Sequence, residues 1–281
     1  MGKLSNMFQF GWTPEDGYVK LLPMTVPAAS VRFLAPCIAL LLASCVLGLD
    51  KDEPVLSKSL ITDSLTSAAA HAEASGDFRS AAAHYRTLLE RTPQDRRVAL
   101  RYARALRLSG EPRQAAAFLE QFSRNEKSGA EVSLELAKAY LSSDQMPIAL
   151  RYLNQAEPLA PDNWEILSLL GVIHDYQGAN AEARGYYNAA LALSPDNSSV
   201  LNNLGLSLAM TGDLDAAIAT LETAKDQPGA SHHIRQNLAL LLAMKGDVSG
   251  AERFVRKDQS PEMVRANLRY FRALADSTKT Y

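Results

Sequence analysis

The chain has 281 residues and a formal net charge of −2 at pH 7, and 47% of its residues are apolar and 21% charged. This is the composition of a globular protein with ample material for a core, and so small a charge gives no reason to expect nucleic acid as a partner. Both cysteines, Cys37 and Cys45, lie in the first fifth of the chain. A disulfide framework or a cysteine-based zinc site is therefore excluded after Cys45.

A short apolar segment, residues 33–44, precedes the second cysteine. It has about twelve residues, whereas a helix that spans a membrane needs about 20. Arg32 stands before it and small residues end it, which is the layout of a secretory signal peptide. We therefore predict a signal peptide over residues 1–44, with Met24 as the candidate true start because the preceding residues are polar and too long for a normal n-region. The alternative is a buried helix in which Cys45 is a small core residue.

The sequence Leu-Ala-Ser-Cys at residues 42–45 resembles the lipobox of bacterial lipoproteins. The resemblance implies cleavage before Cys45, which becomes the lipidated first residue of the mature protein. Several acyl chains anchor a protein stably, since each buried CH₂ contributes about 0.8 kcal/mol. Val46 stands where an aspartate retains enterobacterial lipoproteins at the inner membrane, so we expect the outer membrane, with the inner membrane as the alternative. Residues 45–61 are predicted to be the lipidated N-terminus and a tether.

From residue 62 onward the chain repeats every 34 residues. Six copies follow one another without insertion, at residues 62–95, 96–129, 130–163, 164–197, 198–231 and 232–265. Position 20 is alanine in all six copies, position 8 is always alanine or glycine, and position 15 is glycine in five copies, with Asp144 as the exception. Columns kept in register over six copies indicate a repeat architecture rather than unrelated helices.

Each of these columns has a mechanical role. Glycine at position 15 allows the left-handed residue that ends a first helix, and small residues at positions 8 and 20 let two helices approach closely. The pattern is typical of the tetratricopeptide repeat, a helix–turn–helix of 34 residues. We therefore predict an all-α fold, a tetratricopeptide-repeat α-solenoid of about six helix pairs. A C-terminal capping helix and tail, residues 262–281, is expected to cover the last repeat, with Ser260 as its N-cap and Pro261 at its first position.

The order of signal peptide, lipobox, tether, repeat array and terminal helix resembles the TadD family, the repeat-bearing lipoproteins of the tight-adherence (Flp pilus) secretion system. The resemblance covers most of the chain from Cys45 onward. Its most telling part is the end, RQNLALLLAMKGDVSGAERFVRKDQSPEMVRANLRYFRAL. It implies a pilotin-like assembly factor, lipid-anchored on the periplasmic face of the outer membrane, that binds protein partners of the pilus and its secretin.

In such repeats one face of the first helices lines a groove that binds partners. The residues predicted to line this groove are Arg97, Arg101, Arg104, Arg107, Asp175, Tyr176, Met210 and Met244. The four arginines lie at helical spacing, and bidentate contacts from them can receive an acidic peptide. Two alternatives stay open: a solvated helix face balanced by neighbouring acids, and core packing for the stripe that contains the methionines.

No motif for catalysis is present, since the sequence lacks a Walker sequence, a GxSxG elbow and an HExxH pair. The adjacent His232 and His233 point to different faces of a helix, so we expect no metal site, and we also expect no cofactor and no small-molecule substrate. The predicted function is therefore protein binding. The alternative is a soluble cytosolic adaptor or co-chaperone that starts at Met1 and binds peptide segments. An enzyme ranks last, because the repeats leave no residues for another domain.

Overall fold

The computed structural model describes residues 8–13, 18–23, 55–124, 129–258 and 261–279. Its first elements are two strands, β1 (Phe8–Thr13) and β2 (Tyr18–Pro23), paired antiparallel with Phe8 opposite Pro23. This hairpin falls within the segment predicted to be a signal peptide. The rest of that segment, Met24 and Cys45 lie outside the described residues.

Thirteen α-helices account for most of the described part of residues 55–279. The first helices of the six pairs are α1 (Val55–Ala74), α3 (Arg96–Leu108), α5 (Ala130–Leu141), α7 (Trp164–Tyr176), α9 (Ser198–Met210) and α11 (His232–Met244). The second helices are α2 (Phe78–Arg91), α4 (Pro112–Ser123), α6 (Met146–Ala156), α8 (Asn180–Leu193), α10 (Leu214–Lys225) and α12 (Val248–Asp258). A last helix, α13 (Pro261–Lys279), follows, and a 3₁₀ turn (Glu157–Leu159) extends α6. Each first helix contacts its second helix and each pair contacts the next pair, which confirms the predicted α-solenoid.

Helix α1 begins at Val55, within the segment 45–61 that the sequence analysis assigns to a tether. The overlapping residues, VLSKSLI, contain neither glycine nor proline, so nothing in them stops a helix that is stabilised further along the chain. The first repeat is thus extended at its N-terminal side.

The turn inside each pair has the left-handed residue that the repeat pattern predicts. The five glycines at position 15 have φ between 75° and 94°, and Asp144, which replaces the glycine in the third copy, has φ 58°. The residue after it donates a backbone hydrogen bond back into the helix, as Gln145 does to Tyr140 at 2.8 Å and Ala179 to His174 at 2.9 Å. The aspartate turn therefore closes like the glycine turns, although an L-residue adopts this conformation at a cost of about 1–2 kcal/mol.

The alanine column at position 20 forms the centre of each helix pair, because all six of these alanines are fully buried. The small residue at position 8 packs against the large residue at position 24. A Cβ built on Gly171 would lie 2.6 Å from the ring of Tyr187, and one built on Gly205 would lie 3.0 Å from Leu221. In copies four and five, the glycine therefore sets how closely the two helices approach.

Helix α13 covers the end of the solenoid. It contacts α11 and α12, and it buries one stripe of apolar residues at helical spacing: Val264, Leu268, Phe271 and Ala275. The helix begins at Pro261, as the sequence predicts, whereas Ser260 lies outside the described residues. The stripe shields apolar surface that the sixth copy would otherwise expose. Within the described residues, no helix combines the length and the apolar character that a membrane span requires.

Candidate partner-binding face

The first helices of the copies lie along one side of the solenoid. Helix α3 contacts α5, α7 contacts α9, and α9 contacts α11. In a solenoid built from helix pairs this is the concave surface, and we call it the concave face. The eight predicted groove residues all belong to these helices.

Ion pairs link neighbouring first helices in the N-terminal half of the concave face. Arg101 Nη1 of α3 lies 2.8 Å from Glu73 Oε2 of α1, and it also donates a hydrogen bond to the Tyr85 hydroxyl at 3.1 Å. One junction further, Arg107 Nε donates to Glu135 Oε1 of α5 at 2.7 Å. The residues of each pair are 28 positions apart, so the same two places of the repeat meet at both junctions.

Lys138 extends this arrangement into the fourth copy. Its Nζ lies 2.7 Å from Glu165 Oε1 of α7 and 3.8 Å from Glu135 Oε2. Together with Arg107, these side chains form a row of alternating charges across α3, α5 and α7. Arg107 and Glu135 are nearly buried, with 4% and 10% of their side chains exposed. Buried charges of opposite sign that bond to each other hold adjacent helices in one register.

The four predicted arginines do not form one free stripe. Arg97 and Arg104 are exposed, Arg101 pairs with Glu73, and Arg107 is buried against Glu135. An acidic peptide meets the first two directly, but it must displace Glu135 to reach Arg107. The hypothesis of a four-arginine docking stripe is corrected accordingly, because helical spacing alone does not show which side chains already have a partner.

Asp175 lies at the centre of a buried hydrogen-bond cluster instead of lining an open groove. Its Oδ1 accepts from Asn180 Nδ2 and from Ser207 Oγ, both at 2.8 Å, and its Oδ2 accepts from the Tyr187 hydroxyl at 3.0 Å. Burial raises the pKa of the Asp175 carboxyl, and the three donors oppose that rise. Burial also raises the pKa of Tyr187 well above its usual value. The carboxylate ties α7 to α8 and, through Ser207, to the fifth copy.

Uncharged amides take the place of the ion pairs in the C-terminal half. Asn237 Nδ2 of α11 donates to Asn202 Oδ1 of α9 at 2.9 Å, and Asn203 Nδ2 donates to Ser168 Oγ of α7 at 3.5 Å. We call Ser168, Asn202, Asn203 and Asn237 the amide ladder. The groove residues predicted from the sequence include neither the amide ladder nor Ser207. Ser168 and Asn203 are 35 residues apart, as are Asn202 and Asn237, so a pair of polar residues at this spacing, one residue longer than the repeat, is the sequence signal for these contacts.

The other predicted groove residues lie in three different environments. Tyr176 is 57% exposed, and Met210 is half-buried with its sulfur 3.8 Å from Asn180 Nδ2. Met244 is only 4% exposed and packs in the core around α11. Among the described residues, no group of three or more histidine, cysteine, aspartate or glutamate side chains is placed to hold a metal ion.

Family models and solved structures agree with this architecture. A model described as tetratricopeptide repeat matches residues 134–198 and 169–232, and a second model with the same description matches residues 72–128. No curated protein matches the chain. Three similar solved structures follow, all below 25% identity, so their likeness is one of fold.

The chain superposes on TTC0263, a tetratricopeptide-repeat protein of Thermus thermophilus, with a TM-score of 0.58 and 20% identity over 64% of this chain and 98% of that one. For pilF of Pseudomonas aeruginosa the TM-score is 0.56 and the identity 16%, over 70% and 90% of the two chains. For the Cut9–Hcn1 complex of the APC/C the TM-score is 0.64 and the identity 18%, over 77% of this chain and 46% of that one. This fold is typically a non-catalytic scaffold for protein interactions. The chain is a tetratricopeptide-repeat protein.

Proposed function

We propose that this chain is a lipid-anchored scaffold that helps to assemble the Flp pilus tight-adherence system at the bacterial envelope. The observation that carries the proposal is the placement of Leu-Ala-Ser-Cys, ending at Cys45, directly before an array of helix pairs that ends in a capping helix. An acylated Cys45 would tether the solenoid to the outer membrane with its body in the periplasm. The expected partners are proteins of the pilus machine, including its secretin.

The concave face is the surface we assign to these partners. Its N-terminal half is closed by ion pairs such as Arg107 with Glu135, and its C-terminal half is lined by the amide ladder. Side-chain amides bind a polypeptide backbone without regard to its sequence, whereas the exposed Arg97 and Arg104 favour carboxylates. The concave face therefore fits a partner segment that has acidic residues at the end near Arg97 and Arg104 and few charges at the end near the amide ladder.

The likeness to pilF supports the proposal only as far as the fold. That protein and this chain share an array of helix pairs, and at 16% identity the likeness says nothing about shared partners. The assignment to the Flp system therefore rests on the order of elements in the sequence.

A deletion strain tests the pilus role. We expect the deletion to abolish surface pili and adherence, and to leave the insertion of unrelated outer-membrane proteins intact. The wild-type gene should restore piliation, whereas Cys45→Ala, which removes the acylated residue, should not. Normal piliation in the deletion strain would rule out the proposed role.

A second candidate is a soluble cytosolic adaptor that keeps residues 1–44. One observation favours it: strand β2 contacts α9 and α11, and a segment that packs on the array behaves as part of the folded chain. The two candidates differ in the chain that cells accumulate. The adaptor predicts an unmodified chain that retains Met24 and the residues before it, whereas the anchored scaffold predicts a chain that begins at Cys45.

A further inference from the structure

Strand β2 lies against the C-terminal half of the concave face. It contacts α9 and α11, the first helices of copies five and six. Strand β2 also belongs to a two-stranded sheet with β1, so only one of its two edges is paired within that sheet. Backbone N–H and C=O groups on the other edge need partners from elsewhere, from water or from side chains.

The amide ladder lies on the same two helices. Asn202 and Asn203 belong to α9 and Asn237 to α11, and none of the three is more than 1% exposed. A primary amide has two N–H donors and an oxygen with two acceptor positions, so an asparagine that bonds to its neighbour can also bond to a peptide backbone. Three buried asparagines on two adjacent helices are therefore suited to an extended chain that lies across them.

The two halves of the concave face differ in the number of charged residues that their helices carry. Helix α9, SSVLNNLGLSLAM, has no charged residue, helix α11, HHIRQNLALLLAM, has one arginine, Arg235, and strand β2, YVKLLP, has one lysine, Lys20. Helix α3, RRVALRYARALRL, carries five arginines by comparison. A segment with so little charge is compatible with α9, where an unpaired buried charge would be costly.

We propose that strand β2 is the intramolecular occupant of the concave face of copies five and six, and that it competes there with an extended segment of a protein partner. The inference rests on the proposed function, because the partner segment is the one that the scaffold binds, and it concerns the uncleaved chain, since a scaffold that begins at Cys45 has lost β2. In a chain that retains residues 1–23 this place is taken, and in a chain that lacks them it is open.

Hydrogen exchange in the full chain tests the occupancy. We expect the backbone amides of Tyr18–Leu22 to exchange about tenfold faster in an Asn202→Ala, Asn237→Ala double variant than in the wild type. The matched control is Asn188→Ala, the same change at an exposed position of α8, which should leave the exchange of β2 unaltered. Equal exchange of β2 in all three chains would overturn the inference.

A second variant avoids changing the buried amides. Leu21→Pro in the full chain removes one backbone N–H from β2. A labelled synthetic peptide of residues 8–23, added in trans, should bind this variant about tenfold more tightly than it binds the wild type, because the internal competitor is weakened. Lys3→Pro, before β1, is the control and should bind like the wild type.

The outcomes separate this inference from the proposed function. Equal affinity of the peptide for the wild type and for Leu21→Pro, or no binding to either, overturns the occupancy by β2. Neither result changes the piliation of a deletion strain, which tests the scaffold role by itself. The converse result is also distinguishable. If Leu21→Pro releases β2 but the deletion strain has normal piliation, the intramolecular contact is supported and the pilus role is ruled out.

Discussion

Arg107 of α3 and Glu135 of α5 form a buried ion pair, with 2.7 Å between Nε and Oε1. They occupy position 12 of one copy and position 6 of the next. At the preceding junction the same positions hold Glu73 and Arg101, with the charges reversed. At the following junction they hold two buried leucines, Leu141 and Leu169. These positions therefore hold two ion pairs of opposite polarity and one pair of leucines, and exchanging two copies would bring mismatched side chains together.

Breaking the buried pair on one side should destabilise the solenoid strongly. Glu135→Ala leaves the Arg107 guanidinium buried without its carboxylate, and we expect a loss of about 3–5 kcal/mol in the free energy of unfolding. Replacing both residues by leucine reproduces the next junction and should recover most of that loss. Urea unfolding followed by circular dichroism measures both effects.

The matched control for this prediction is Glu73→Ala. Its partner Arg101 has 57% of its side chain exposed, so this change should cost less than about 1 kcal/mol. Equal costs for the two glutamate variants would show that burial of Arg107 does not determine the stability of the junction.

The Asp175 cluster should behave as a coupled unit. Asp175→Ala removes the acceptor of Tyr187, Ser207 and Asn180, and we expect it to lower the free energy of unfolding by about 2–4 kcal/mol, because buried donors are left without a partner. Tyr187→Phe removes only one donor and should cost about 1 kcal/mol. The double variant should cost less than the sum of the two, as measured in a double-mutant cycle, and strict additivity would contradict the coupling.

The pKa of Asp175 predicts a defined pH dependence. Burial raises this pKa above 3.8, so the folded chain binds the proton more tightly than the unfolded chain does. The contribution of this proton to stability is complete at pH values below 3.8 and is lost as the pH rises through the folded-state pKa. The stability of the wild type relative to Asp175→Asn, which does not titrate, should therefore be greater at about pH 3 than at about pH 7. A difference that does not vary with pH would contradict the raised pKa.

Alanine substitutions at two glycines distinguish the effect of close packing from the effect of helix propensity. Gly171→Ala places a methyl group 2.6 Å from the buried Tyr187 ring, and overpacking of this kind costs about 1–3 kcal/mol. Gly185→Ala, in the middle of α8, meets nothing within 4 Å and should stabilise the helix by about 0.5–1 kcal/mol. Thermal unfolding should therefore show a lower Tm for the first variant and a higher Tm for the second. An increase in both would mean that the helices of copy four can move apart at little cost.

The repeat columns predict the fold because each of them has one mechanical role in every copy. The glycine at position 15 ends a helix wherever it occurs, and Asp144 adopts the same left-handed conformation in its place. The contacts between copies were harder to predict. These contacts join residues that are 28 or 35 positions apart and that occupy different positions of the repeat. The repeat pattern alone therefore predicts Arg107 in a surface stripe and Asp175 in a groove.

The N-terminal hairpin was missed for a different reason. The segment FQFGWTPEDGYVKLLP has two apolar runs on either side of Pro-Glu-Asp-Gly, which is a turn signal. The polar residues of this segment favour a leader, and the predicted signal peptide over residues 1–44 therefore includes it. Strands β1 and β2 correspond to the two runs.

The most direct test of the anchored scaffold is the intact mass of the protein extracted from separated inner and outer membranes, measured for the wild type and for Cys45→Ala. We expect a chain that begins at Cys45 and carries three acyl chains, found in the outer membrane and lost in the variant. A full-length, unmodified chain in the soluble fraction would contradict the lipid anchor and the assignment to the pilus system, and would leave the cytosolic adaptor as the function of the solenoid.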